Sequence, residues 1–599
     1  MSAVLLVNTG SGQADHICRR VVDALLREDV RGCMSQGRVV EGMALPFARH
    51  LPASLRDGAW LLLPQLGTGH LWLPVQPCSF MQDWRLRTLP VVLEWAGELE
   101  YLRELSAILA YFRQGMNTAQ NADFDRFEEE CAAAVAHGEF CAAEQASWFD
   151  SGVHVPDGRD WAGRLLHYDR LGAFLDHPFY PTARAKLGFD AHDLAAYAPE
   201  SAPRFKLRWL AVPRDLYQGM DTPLPDIWPD FQQLGLNPLL AASHALIPVH
   251  PFLWEQHLAG FLAESGLQDS VIPAPRAYME VQPTLSVRTL VLADAPQWHV
   301  KLPLTIRTLG ARNIRTIKPS TIADGQLLQD ILGAIASRES SLNGRLLLTD
   351  ESRGAHVAHK PFLGFILRRY PDGLADSTLV SVASLLAPAP DGKSVFETLA
   401  ERFYAGRVLD FFADYLDLTL RLHLLLWVRY GMALESNQQN SVLVLSDEAP
   451  GLRLLIKDND AGRIWADRLA RACPDLAARL NDLQDRRIVV SDALPLAQMF
   501  STITLQLNIA VLVEGLSAAG YVSREDLYRQ VRARIEEVLN DLAAQGEAVD
   551  LARQVLLEDE RLYIKYLLRA ASLESKESTG ATDVNKFYGK SAPNFLRHP

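Results

Sequence analysis

The spacing of apolar residues divides the chain into three textures. Up to residue 160, stretches such as Trp95 to Phe112 and Phe124 to Ala143 are rich in Ala, Leu and Glu with apolar residues at helical spacing, which predicts a mainly helical region. From 161 to 375 short β-rich runs punctuated by Pro take over: Arg204 to Val212, Tyr278 to Leu292, Trp298 to Leu304 and Phe362 to Arg369. Polar residues alternate within them, as expected of a sheet with one face in a core and the other lining a polar cleft. From 376 to 599 helices return over Ser394 to Glu435, Ala497 to Ala519 and Arg524 to Ala543. Among them, Ser441 to Leu445 and Leu452 to Ile456 read as a hairpin. The tail after Ser572 is polar and predicted irregular. Gly10-Ser11-Gly12 lacks the third glycine of a dinucleotide fingerprint and reads as a turn. The fold class expected is α+β.

Composition narrows the function classes. With 599 residues, 48% hydrophobic and 22% charged, the chain buries large cores and is neither disordered nor fibrous. Lys plus Arg is 59 against 72 Asp plus Glu, a net charge of −13, without a block of like charges. Nucleic acid and anionic membrane are poor partners for such a surface. The six cysteines never form a CxxC pair, which argues against a disulfide framework or zinc knuckle. The N-terminus lacks a basic leader, and no uninterrupted apolar run approaches the ~20 residues of a membrane span, so a cytoplasmic location is expected.

Chemistry concentrates in four places. Within Gln282 to Arg315, strand alternation lets Ser286, Arg288 and Lys301 share a face, with Arg307, Arg312 and Arg315 close by and hydroxyls at Thr289, Thr305 and Thr308. Guanidinium forks and hydroxyls in this density suit a polyphosphate; the plainer reading is a solvated sheet face. Glu435 to Asn440 at the hairpin entry and Asp458 at its exit should meet and form a hard-oxygen Mg²⁺ site; the plainer reading has Asp458 and Asp460 capping a turn. His177, before two prolines and the cations Arg184 and Lys186, and His250, before Pro251, are weaker signals that also suit structural roles.

In this order the four segments resemble the IucA/IucC family, the NRPS-independent siderophore synthetases, from about residue 160 to 570. The family's His-Pro-x-His-Pro and Lys-x-Arg-x-Gly are similar to His177 to Pro181 and Arg184 to Gly188, with Tyr180 for the second His and the cations exchanged. Its His-Pro-Trp resembles His250-Pro251 with Trp254 displaced. Pro-Thr-x-Ser-x-Arg-Thr is matched completely by Pro283 to Thr289. Lys301-Leu302 matches a Lys-Leu strand, and Thr308 with Arg312 matches Thr-x-x-x-Arg. Glu-Ala-His-x-Gln-Asn resembles Glu435 to Asn440, with Asn437 for His, and Arg-Asp resembles Lys457-Asp458.

The resemblance implies a hand-shaped enzyme: a thumb over 1–160, β-rich fingers over 161–375 and a mainly helical palm over 376–599. It further implies adenylation of a carboxylate of citrate or a related acid by ATP with Mg²⁺, then condensation with an amine or alcohol, releasing AMP and pyrophosphate. Carried over, Ser286, Arg288, Thr289, Lys301 and Arg312 hold phosphates together with Asn437 and Asn440, while Glu435, Asn440 and Asp458 hold Mg²⁺. His177, Arg184, Thr308, Arg312, Gln439 and Lys565 contact substrate, and Arg312, Arg288, His177 and Thr308 are the catalytic candidates. A homodimer is expected by analogy. Two alternatives stay open: a kinase-like phosphotransferase forming ADP, and a non-catalytic nucleotide or siderophore binder.

Overall fold

A computed structural model describes residues 12–152, 160–447, 451–575 and 587–597. The turn expected at Gly10-Ser11-Gly12 and the tip of the 441–456 hairpin lie largely outside the described residues.

The N-terminal region departs from the mainly helical expectation. Its helices, Gln13–Arg27, Leu105–Arg113 and the 33-residue Thr118–Asp150, pack against a six-stranded antiparallel sheet spanning 38–102. The long helix starts in a reciprocal cap between Asn117 and Gln120. The stretch from Trp95, expected to be helical, is helical only from Leu105. Before it, Val91–Trp95 and Glu98–Leu102 pair across Ala96 and Gly97, both at positive φ (52° and 84°), as a type I′ turn requires. The Ala, Leu and Glu content of this stretch hides a hairpin.

The middle region is built on a nine-stranded sheet that runs through Phe205–Pro213, Tyr278–Pro283, Thr289–Leu292, Trp298–Lys301, Gly364–Arg369 and Asp350–Val357, each antiparallel to the next. Register fixes its two faces. Thr289 pairs with Lys301 and Lys301 with Ile366; Val291 pairs with His299 and His299 with Arg368. Alternation therefore puts Lys301, His299 and Arg368 on one face and Leu290, Val300 and Leu367 on the other, where they join Trp209 and Val281 in a core.

In the C-terminal region Ser441–Ser446 and Arg453–Ile456 form the expected hairpin, flanked by Ser377–Ser381 and by Leu346–Leu348. That last strand comes from before residue 375, so the sheet crosses the expected boundary. The stretch from Ser394 forms two helices, Val395–Tyr404 and Val408–Val428, broken where Ala405 and Gly406 take positive φ. Leu494–Ala518 is a 25-residue helix whose most apolar stretch has a mean hydropathy of 1.6, long and apolar enough to cross a bilayer, but 94% of that stretch is buried. Polar residues such as Thr504, Gln506 and Asn508 interrupt it in sequence, and its middle, Phe500–Ala510, widens to a π-helix. After Ser572 the chain is not wholly irregular: Tyr588–Pro593 pairs with Arg561–Lys565. Lys565 ends that strand.

Candidate active site

The polar face of the nine-stranded sheet and the entry of the 441–456 hairpin enclose a cleft of about 430 Å³, with the 172–186 segment closing one end. Its walls include Ser286, Arg288, Lys301, Thr308 and Arg315 on one side and Glu435, Asn437, Gln439, Asn440, Asp458 and Asp460 on the other. Arg288 and Asp458, far apart in sequence, thus share one cleft.

The Pro283 to Thr289 segment divides its labour. The Thr284 hydroxyl donates to the Thr289 carbonyl at 2.9 Å and accepts from the Ser286 amide at 3.2 Å, while the Leu285 amide donates to Asp169 at 3.0 Å. This fixes a tight turn that leaves Ser286 and Arg288 on the cleft. Thr289, expected on the phosphates, is buried behind the turn and donates to the Ser286 hydroxyl.

Arg288 donates to the Thr316 carbonyl at 2.6 Å, and Arg315 donates to the Thr308 hydroxyl. Neither has a carboxylate ion-pair partner among the described residues. Burial and the neighbouring Arg288 pull the Arg315 guanidinium down to about 9, and burial lowers Arg288 as well, against the pull of Asp458 and Asp460. Two half-buried guanidinium groups that repel each other make an anion site. Lys301 differs, being paired with Asp458 at 2.6 Å.

Arg312 does not line the cleft. Its guanidinium pairs with Asp123 of the long N-terminal helix and donates to the Glu574 carbonyl. Arg307 bridges Leu187 and Ile314, and Gly310, at φ 121°, turns the chain between them, so Arg315 returns to the cleft while Arg312 points away from it. Lys565 is also withdrawn, buried behind Glu435 at 2.9 Å. Burial pulls its ammonium down, but Glu435 more than compensates and raises it above the usual range.

On the opposite wall, the Asn437 side-chain oxygen accepts from the Gln439 and Asn440 amides at 3.0 and 3.2 Å. Asn437 thus holds its own loop, leaving only its amide nitrogen for a ligand. Gln438 donates to the Leu507 carbonyl at 2.7 Å, and Asn508 donates to the Ser436 carbonyl at 2.8 Å, fastening the loop to the π-helix. Asp458 sits at φ 58°. Burial would push its carboxyl up, but Arg368, Lys301 and Lys457 hold it well below the usual carboxylate range. Lys301 and Arg368 share one of its oxygens, at 2.6 and 2.7 Å, which leaves the other.

A divalent cation fits this wall with a specific donor set. No three His, Cys, Asp or Glu side chains converge as a metal centre among the described residues. The free oxygen of Asp458, the Asn440 amide oxygen and Asp460, whose carboxylate has no ion pair among the described residues, suit Mg²⁺ that takes its remaining ligands from phosphate and water. Glu435 would join by giving up Lys565.

His177 is fixed by the N-terminal region. Arg20 donates to the carbonyls of His177, Tyr180 and Pro181 at 2.6, 2.7 and 3.1 Å. The ring's Nδ1 accepts from the Phe179 and Tyr180 amides, so the proton sits on Nε2. Burial, with Arg20 and Arg27 nearby, lowers His177 to about 3. It is a neutral N–H donor. Arg184 and Lys186 line the same end, paired with Asp176 at 3.1 Å and Glu200 at 2.5 Å. Tyr180 faces away and donates to Glu130 at 2.8 Å. His250 is buried outside the cleft, where Nδ1 caps the Pro251–Gln256 helix through the Phe252 amide.

Sequence reasoning counted Arg315 only as a nearby cation, and it left out Asp460 as a ligand and the buried Arg368. The signal for Arg315 was Gly310, which marks a reversal inside the cationic run. Arg20 and Arg27 carry no local signal.

The cleft sets guanidinium groups without carboxylate partners among the described residues against carboxylates and amides, on an α+β frame, an arrangement whose chemistry suits a polyanion. Residues 165–387 match the IucA / IucC family, the family that the sequence motifs resemble. Residues 409–578 match a second description, Ferric iron reductase FhuF-like transporter. Similar curated proteins include Uncharacterized protein y4xN of Sinorhizobium fredii, 30% identical over 50% of this chain and 51% of its own length. Staphyloferrin B synthase of Staphylococcus aureus is 21% identical over 85% of this chain and 86% of its length, and Aerobactin synthase of Escherichia coli is 27% identical over 49% and 55%. With the first and third of these, the chain spans about half the relative's length. Among solved structures, petrobactin biosynthesis protein AsbB from Bacillus anthracis has a TM-score of 0.73 at 18% identity, covering 98% of this chain and 96% of its own. ATP-bound aerobactin synthetase IucA from Klebsiella pneumoniae has a TM-score of 0.67 at 19% identity, covering 98% and 100%. These likenesses establish the fold.

Proposed function

We propose that this chain is an ATP-dependent ligase of siderophore assembly, which adenylates a carboxylate of citrate or a related acid and transfers the acyl group to an amine or alcohol. The observation that carries this is the pair Arg288 and Arg315, without carboxylate partners, across the cleft from Asp458, Asp460 and Asn440. Relatives whose names include citrate and an amine, such as L-2,3-diaminopropanoate–citrate ligase of Staphylococcus aureus, and the ATP-bound state of one structural neighbour support the same reading.

In the first half-reaction an oxygen of the acid attacks the α-phosphorus, the bond to the bridging oxygen breaks, and pyrophosphate leaves with the electron pair. Arg288, Arg315 and Lys301 offset the developing negative charge, and the Ser286 hydroxyl fills a further acceptor. Asp458, Asp460 and Asn440, with Glu435, would hold Mg²⁺, which supplies charge neutralisation at the phosphates. In the second half-reaction the amine nitrogen bonds to the acyl carbon, AMP leaves, and the amine's proton passes to solvent. The neutral Nε2–H of His177 and the Thr308 hydroxyl donate to substrate oxygens, and Gln439 and Arg184 contact the acid. In this reading the N-terminal region, the nine-stranded sheet and the helical remainder correspond to thumb, fingers and palm of a cytoplasmic homodimeric enzyme.

The test is a screen of candidate carboxylates for pyrophosphate release, with and without an amine mixture. AMP as product supports the ligase; ADP would establish the phosphotransferase instead. Nucleotide binding without turnover on any acid or amine would establish a binder.

A further inference from the structure

The cationic loop that carries Thr308 and Arg315 into the cleft is held from behind. Its base is a narrow ladder in which the Arg315 amide donates to the Ile306 carbonyl at 3.0 Å and the Leu304 amide to the Arg315 carbonyl at 2.7 Å. Its tip leaves the cleft and meets the Arg569–Leu573 turn near the C-terminus. The Ala311 amide donates to the Ser572 hydroxyl at 3.3 Å and the Arg312 amide to the Ala571 carbonyl at 3.2 Å. The approach is so close that a Cβ on Gly310 would lie 2.3 Å from that of Ala571.

The turn is in turn clamped by N-terminal carboxylates. Glu28 accepts from the Leu568 and Arg569 amides at 2.9 and 2.8 Å, and Glu130 accepts from the Ser572 hydroxyl at 2.9 Å. Arg312 spans the junction, with its guanidinium on Asp123 and on the Glu574 carbonyl and only 25% of its side chain exposed. Three distant segments meet at this one side chain.

We propose that Arg312 is a positioning residue, which acts with Asp123 to hold the 308–315 loop so that Arg315 and Thr308 face the cleft. This rests on the ligase reading for its catalytic consequence, and on geometry alone for the contact. A displacement of about 1 Å at a charge-stabilising group is enough to cost on the order of 100-fold in rate.

The test uses the full-length protein with Arg312→Ala, Asp123→Ala and the charge-exchanged pair Asp123→Arg with Arg312→Asp; Arg312→Lys and Asp123→Asn serve if the alanine variants fail to fold. Acid-dependent ATP–pyrophosphate exchange and amide hydrogen exchange over residues 304–315 are measured for each. A positioning pair predicts matching losses of about 100-fold in both single variants and faster exchange at the Arg315 amide. The exchanged pair should return to within about tenfold of wild type and regain protection. A substrate-binding Arg312 predicts a near-normal Asp123→Ala, an inactive exchanged pair and unchanged protection, and this pattern would overturn the proposal. If the wild-type chain exchanges no pyrophosphate with any acid, the ligase reading fails. Amide protection then decides the Arg312–Asp123 bracket independently: loss in the single variants and recovery in the exchanged pair supports it, and unchanged protection refutes it.

Discussion

Three features prepare Arg315 to receive an anion: half-burial, repulsion from Arg288, and the lack of a carboxylate partner among the described residues. A cation in that state gains more from an incoming phosphate than one already neutralised, as Lys301 is by Asp458. Arg315→Gln is therefore expected to lower acid-dependent pyrophosphate release by about 100- to 1000-fold, with unchanged circular dichroism. A folded variant that works at the wild-type rate would remove Arg315 from the site. The same accounting explains the family histidine positions in this chain. Tyr180 serves a buried carboxylate, Glu130, and Asn437 serves its own loop.

At the scale of elements, both His-Pro units use the ring nitrogen as a backbone cap. His250 does so in full burial, which lowers it to about 3, below the 6.5 of an exposed histidine. A folded-state value below the unfolded one means that its contribution is fully present above about pH 6.5 and is lost as pH falls toward 3. His250→Asn keeps a cap acceptor and removes this titration. Relative to wild type, its stability should therefore rise between pH 6.5 and 4 by up to about 1.4 kcal/mol per pH unit, read from urea midpoints. A pH-independent difference would show that His250 does not titrate on unfolding. The π-helix is a second device. Its Asn508 side chain is buried and holds the Ser436 carbonyl. Asn508→Ala should cost about 1–2 kcal/mol in stability and raise the KM for ATP more than it lowers kcat, checked by urea melts and steady-state kinetics.

Across the whole molecule, the cleft exists because two sheets are cross-linked by charge. Arg368, 1% exposed, joins Glu351 at 2.6 Å and Asp458 at 2.7 Å, and so ties the nine-stranded sheet to the exit of the hairpin. Arg368→Met would leave two carboxylates short of a partner and is expected to lower stability by about 3 kcal/mol, measured as a shift in urea midpoint at constant slope. A loss below about 1 kcal/mol would mean that Lys301 and Lys457 suffice for Asp458. The N-terminal region belongs to the same unit, since Arg20 fixes the His177 loop and Asp123 holds Arg312.

The sequence by itself determined the α+β class, the polar and apolar faces of the strands from Tyr278 to Lys301, the 441–456 hairpin, and the residues at its mouth. These follow from periodicity and from local turn chemistry, which act over a few residues. It could not reveal the sheet inside the N-terminal region, because Ala, Leu and Glu suit a hairpin turned by Ala96 and Gly97 as well as a helix. Only the tertiary structure decided between Arg312 and Arg315, withdrew Lys565 behind Glu435, and made His177 a neutral donor. Those outcomes depend on which charge a side chain meets from a distant segment and on how much water it loses there, and neither quantity is written in local spacing.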